Sequence, residues 1–175
     1  DANGGDILDN TDTETANITG LTGGAVVSLR GNSVGQKVMV DGGNAGDIDL
    51  NIAKISDMQV GSVGIYLDSV RAIEVGDVTT TGELEVRVVS GDLVFSGDQS
   101  ALRSILEVQE GRLSQISGKT LTTTGVEGIG GSGNVSVTAL RDISLSTISV
   151  GNGDVEMTSS LGGILDGTLA DELGS

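Results

Sequence analysis

The chain has 175 residues, 37% of them hydrophobic, yet only one Tyr, one Phe and no Trp. Its formal charge of −16 disfavours nucleic acid and anionic membrane as partners, since both demand basic surface. The absence of Cys and His removes disulfide stapling and every Ser–His–Asp or Cys–His catalytic arrangement.

With aromatics nearly missing, Val, Ile, Leu and Ala must fill the interior, and such medium-sized side chains suit a narrow core of constant cross-section. Gly occurs 29 times and Pro not at all, which predicts many tight corners between strands whose N–H groups are needed for ladders. No run approaches the ~20 apolar residues of a membrane span. Asp1 opens no signal peptide, so the expectation is a mature product or an excised segment.

In chain order, Ala25–Val40 offers Val27, Leu29, Val38 and Val40 as inward residues, with a longer corner at Arg30–Gln36. Short alternating runs then follow Gly46, Gly64, Gly82, Gly133 and Gly153, at intervals of 18 (46 to 64), 18 (64 to 82) and 20 (133 to 153). Self-similarity near this period marks a solenoid. Ile65, Leu67, Ile73, Val75 and Val78 follow steps of 2, 6, 2 and 3, and Val135, Val137, Ile143, Leu145 and Ile148 repeat them. Residues two apart share one face of a strand, so three short strands per unit describe a triangular coil. Ile143 is expected inside and Ser144 outside.

These patterns predict one all-β domain over 1–175, a right-handed parallel β-helix of 18–20 residues per coil, with 1–45 and 98–132 less regular. About nine coils would make a rod roughly 40 Å long. Leu102–Leu121 is the least regular part, and Ser100–Val108 is read as strand in preference to a helical turn. No segment holds 3.6-residue apolar spacing over three turns.

No residue is assigned a catalytic, cofactor-binding or metal-binding role. Asp47/Asp49 and Glu83/Glu85 could pair as acid and base on a glycan, but alternation reads them, with Ser136/Thr138, as a solvated outward face. Calcium is the one cofactor the sequence brings forward, through Asp and Asn at Asp41–Asp49 and Gly151–Asp154. Neither stretch matches a calcium-binding repeat, so both are read as Gly-Asp corners. An ice-binding ladder needs flat Thr rows on every coil. Thr79–Thr81 and Thr122–Thr124 are therefore read as flanking turns. Gly125–Gly133 lacks the Lys-Ser/Thr of a phosphate-binding loop.

Val75–Glu83 (VGDVTTTGE), Gly91–Gly97 (GDLVFSG) and Gly133–Ile164 resemble the repeats of filamentous-haemagglutinin-like large exoproteins, bacterial adhesins. The resemblance covers about Gly46–Gly97 and Gly133–Gly167. It implies a right-handed β-helix, export to the bacterial cell surface, and adhesion or biofilm formation. The expected function is accordingly structural or adhesive, without catalysis, with a host or cell-surface glycan or protein as partner. A self-assembling subunit of an extracellular filament or sheath, joined end to end with copies of itself, is the alternative. A carbohydrate-active β-helix enzyme stands third.

Overall fold

In the computed structural model, residues 2, 4–9, 16–20, 26–36, 39–40, 43–44, 46–126 and 132–168 are described. All regular structure among them is β, and seventeen of the nineteen strands form one hydrogen-bonded sheet whose pairings are all parallel. The register groups these strands into three stacked faces, visited in turn by each pass of the chain, in a solenoid-like arrangement.

The first pass has β1 (Asp6–Ile7) and β2 (Ile18–Thr19) on the first face, then β3 (Val26–Val34). β3 crosses the second and third faces and ends on the first face one coil higher, where Ser33 and Val34 pair with Asp6 and Ile7. The hairpin β4 (Met39–Val40) and β5 (Gly43–Asn44) follows, and it is antiparallel. β6 (Ile48–Asn51) returns to the first face, and β7 (Lys54–Ser69) runs round all three faces into the third coil. β8 (Ile73–Thr80) completes that coil.

The fourth coil is β9 (Glu83–Val88), β10 (Leu93–Phe95) and β11 (Gln99–Ala101). The fifth is β12 (Arg103–Val108), β13 (Leu113–Gln115) and β14 (Thr120–Thr123), and the sixth is β15 (Val135–Ala139), β16 (Ile143–Leu145) and β17 (Thr147–Val150). β18 (Val155–Ser159) and β19 (Ile164–Asp166) lie on them as a seventh.

The described residues make seven stacked passes, against the nine expected, and these rise about 30 Å at ~4.8 Å per coil. Excursions take up the remaining length. The columns of Ile65 and Leu67, separated by Tyr66 alone, are held one coil below by Val34 and Ile48, with residues 35–47 between them. Residues 8–17 interrupt the first coil at the same place, between β1 and β2. Residues 124–134 separate β14 from β15. The corner expected at Arg30–Gln36 falls between Gly31 and Ser33, where β3 turns from the third face to the first through a bulge while still pairing with β7. Leu102–Leu121 holds β12, β13 and the start of β14 with corners between them, like its neighbours.

The aliphatic columns form the core. Ile65, Leu84, Ser104 and Val135 make one column, and Leu67, Val86, Leu106 and Val137 another. Ile73, Leu93, Leu113 and Ile143 stack on the second face. Val78, Gln99, Leu121 and Ile148 stack on the third. The two matched sets of residues in the sequence thus share columns three coils apart. Ile143 is buried and Ser144 is half-exposed, as alternation requires.

Corners leave backbone N–H groups without ladder partners, and Asp or Asn of the preceding coil supplies them. Asp77 Oδ1 accepts the Asp98 N–H at 2.9 Å, and Asp98 Oδ1 accepts that of Thr120 at 2.9 Å. Asp92 serves Arg112, Asp142 serves Gly163, and Asn134 serves Asp154. Part of the acidic composition is therefore corner chemistry.

Candidate functional site

The outward side of the first face is where the structure gathers the most charge. Parallel register stacks Asp49, Asp68, Arg87 and Glu107 in one outward column. Tyr66 and Glu85 stack in the next column, and Glu83 and Arg103 in a third. Asp47 stands at the end of the second excursion, immediately before β6.

The outward, water-facing reading of the two carboxylate pairs needs correction. Asp47, Asp49 and Glu83 are 5%, 4% and 7% exposed, and Glu85 is half-buried. Alternation does point them out of the core. In register, however, each outward side chain is flanked by those of the coils above and below at ~4.8 Å. The Arg103 guanidinium lies over Glu83, with Nε 2.7 Å from Oε2. Arg87 Nη1 reaches Asp68 Oδ2 at 3.1 Å. Asn17 braces the lower edge, its Oδ1 accepting the Asp49 N–H at 2.8 Å while its own N–H donates to the Asp49 carbonyl. Ser136 is half-buried and Thr138 exposed. Sequence reasoning missed Tyr66, Asp68, Arg87 and Arg103. The signal was the spacing of Asp49, Asp68, Arg87 and Glu107, one coil apart each time.

Two further surfaces carry polar groups. A shallow groove between the first and second faces is lined by Ala53, Ala72 and Val94 together with Arg71, Glu74 and Asp92. Lys54 Nζ donates to Glu74 Oε1 at 2.6 Å and, helped by Ser96, holds that carboxyl below its ordinary range. On the third face the Arg30 guanidinium, Ser28 and Ser56 lower Asp57 to about 2.

Of the calcium candidates, Asp41 and its neighbour Gly42 lie outside the described residues. Asp154 is exposed in the corner before β18, and its N–H goes to Asn134 Oδ1. Among the described residues no three Asp or Glu side chains gather as metal ligands would. No helix among them is long and apolar enough to cross a membrane.

Compared with known proteins, the chain matches no family model, no curated protein and no solved structure.

Proposed function

We propose that this chain is a right-handed parallel β-helix segment of a bacterial cell-surface protein, working as an adhesive or structural element without catalysis. Right-handedness follows from the general preference of parallel crossover connections. Adhesion is favoured by one observation above the others. On successive coils the strands of the first face break off after the same column, at Ile7 and at Val34, and resume only at Ile18 and Ile48. In stacked-repeat proteins, insertions gathered on one face are where binding is built, because the regular coils only supply the scaffold. The partner in this reading is a host or cell-surface glycan or protein that meets the two excursions and the charged columns beside them.

The third coil shows how to remove an excursion, since Tyr66 alone bridges the columns of Ile65 and Leu67. Replacing residues 35–47 by one residue should leave a folded β protein by circular dichroism. Binding of that variant to epithelial cell monolayers and to immobilised surface glycans should drop to background, with the unaltered chain binding both or either. Equal binding by the two proteins would remove the excursions from the function.

A second reading, self-assembly into an extracellular filament, is favoured by the seventh coil. Val155, Ile164 and Leu165 are 42%, 54% and 52% exposed there, and β18 and β19 are paired on one side only among the described residues. Open edges of this kind invite further strands.

A further inference from the structure

We propose that the third face is an ice-binding surface, formed by an outward hydroxyl row on the third to sixth coils. The two Thr triplets lie in register instead of flanking separate turns. Thr79 pairs with Ser100, Ser100 with Thr122, and Thr122 with Ser149, so one outward row of hydroxyls runs along the coil axis. Thr120 and Thr147 pair beside it, two residues earlier in their strands. Thr81 and Thr124 stand two residues later, both exposed. Ser thus fills the row on the fourth and sixth coils, which lack a triplet, so the hydroxyls run unbroken over four coils; below them the same column holds Gln59 and Arg30.

The hydroxyls are available. The inward members of the same strands spend theirs inside, Thr80 on the Gly61 carbonyl and Thr123 on the Gly133 carbonyl. The hydroxyls of Thr79, Ser100, Thr122, Thr147 and Ser149 make no hydrogen bond among the described residues. The spacing suits ordered water. Tetrahedral water with O···O near 2.75 Å has second neighbours ~4.5 Å apart, against ~4.8 Å between coils. The mismatch of ~0.3 Å accumulates to about 1 Å over four coils, less than half a water–water distance. The methyl groups of Thr79 and Thr122, on alternate coils of the row, give the first water layer an apolar backing that favours cage-like order. A crystalline polysaccharide would present a similar repeat, but sugar rings are held by aromatic stacking. The chain's one Tyr is on the first face and its one Phe is in the core. Asp77 and Asp98 stand two residues before Thr79 and Ser100, so on the third and fourth coils carboxylates take the flanking place that Thr120 and Thr147 hold on the fifth and sixth.

The test is incorporation of the purified chain into a slowly growing polycrystalline ice front, with thermal hysteresis measured in parallel. The unaltered chain should be enriched in the ice and show hysteresis. Thr122→Lys and, separately, Ser149→Lys place a charged stem in the central row and should abolish both effects. Thr138→Lys, on the first face, should abolish neither. Exclusion of the folded chain from ice overturns the proposal, as does equal loss in Thr138→Lys. Retention on insoluble cellulose or chitin without ice activity also overturns it, and assigns the row to a polysaccharide.

Discussion

Ser104 is fully buried in the inward column between Leu84 and Val135, and its hydroxyl has no hydrogen bond among the described residues. A buried hydroxyl without a partner carries its desolvation cost uncompensated, about 1–3 kcal/mol. Ser104→Ala should therefore raise the urea midpoint of unfolding, against the usual destabilising direction of core substitutions. A lowered midpoint would mean that a bound water satisfies the hydroxyl. Asp57 behaves differently. Its carboxyl is held at about 2 by the Arg30 guanidinium first, then by Ser28 and Ser56. A carboxyl depressed in the folded state adds stability that is present above its unfolded value, near ~4. That contribution is lost as the pH falls through about 2. The Asp57 and Arg30 side chains are 27% and 49% exposed, so solvent screening keeps the contribution small. In thermal melts from pH 6 down to pH 2 (roughly the span of the two titrations), Asp57→Asn should start less stable and lose less on acidification. Parallel acid limbs for the two proteins would show that the pair contributes nothing.

At the scale of the element, corners decide how closely coils approach. Gly76 lies where the second face turns into the third, and a Cβ there would overlap the Ser56 carbonyl. Gly97, in the next coil, would meet Asp77 in the same way. Backbone cannot yield as a flexible side chain can, so Gly76→Ala should destabilise by several kcal/mol or prevent folding. At Gly163 the nearest atom is a Leu165 methyl carbon at 3.4 Å, and Gly163→Ala should be nearly silent. Equal melting temperatures for the two variants would contradict the close stacking of these corners. The same elements show what could be read from the sequence. The columns through Ile65, Leu67, Ile73 and Val78 were legible three coils away because inward positions admit only aliphatics over most of the stack. The fourth and fifth coils looked irregular because Gln99, Ser104 and Gln115 sit inside them. Those two amides are not errors of packing. Gln99 donates to the Gly76 and Gly97 carbonyls, and Gln115 donates to Gln99 and accepts the Ser146 and Thr147 N–H groups. They satisfy corner backbone that has no ladder, at the expense of the apolar pattern. Glycine spacing misled by one residue, since Gly64 pairs with Glu83, not Gly82. The charged columns of the first face were not legible, because burial there depends on side chains from different coils.

For the whole molecule the balance lies between its ends and its charge. In the sixth coil Val135 and Ile143 are 1% and 0% exposed, whereas their stacking partners Val155 and Ile164 are 42% and 54% exposed. Leu161, at 79%, and Leu165 widen this apolar end. A further coil would bury it and complete two ladders, and another molecule could supply that coil. Two features oppose this. Asp166 stands in the column of Leu145, and charge in an inward column blunts an open edge. The formal charge of −16 also makes copies repel. Repulsion is screened over ~10 Å at 0.1 M salt but over only ~3 Å at 1 M, while the apolar contact persists. Dynamic light scattering across a sodium chloride series should accordingly show small particles at low salt and growth toward 1 M. Ile164→Lys, which puts a cation on the exposed end without touching the inner coils, should hold the particles at their low-salt size throughout. Calcium chloride at matched ionic strength should act as sodium does unless carboxylates of two molecules share the ion. Constant particle size for the unaltered chain would end the filament reading and leave adhesion through the first face. Growth that is identical in Ile164→Lys would place the association away from the seventh coil.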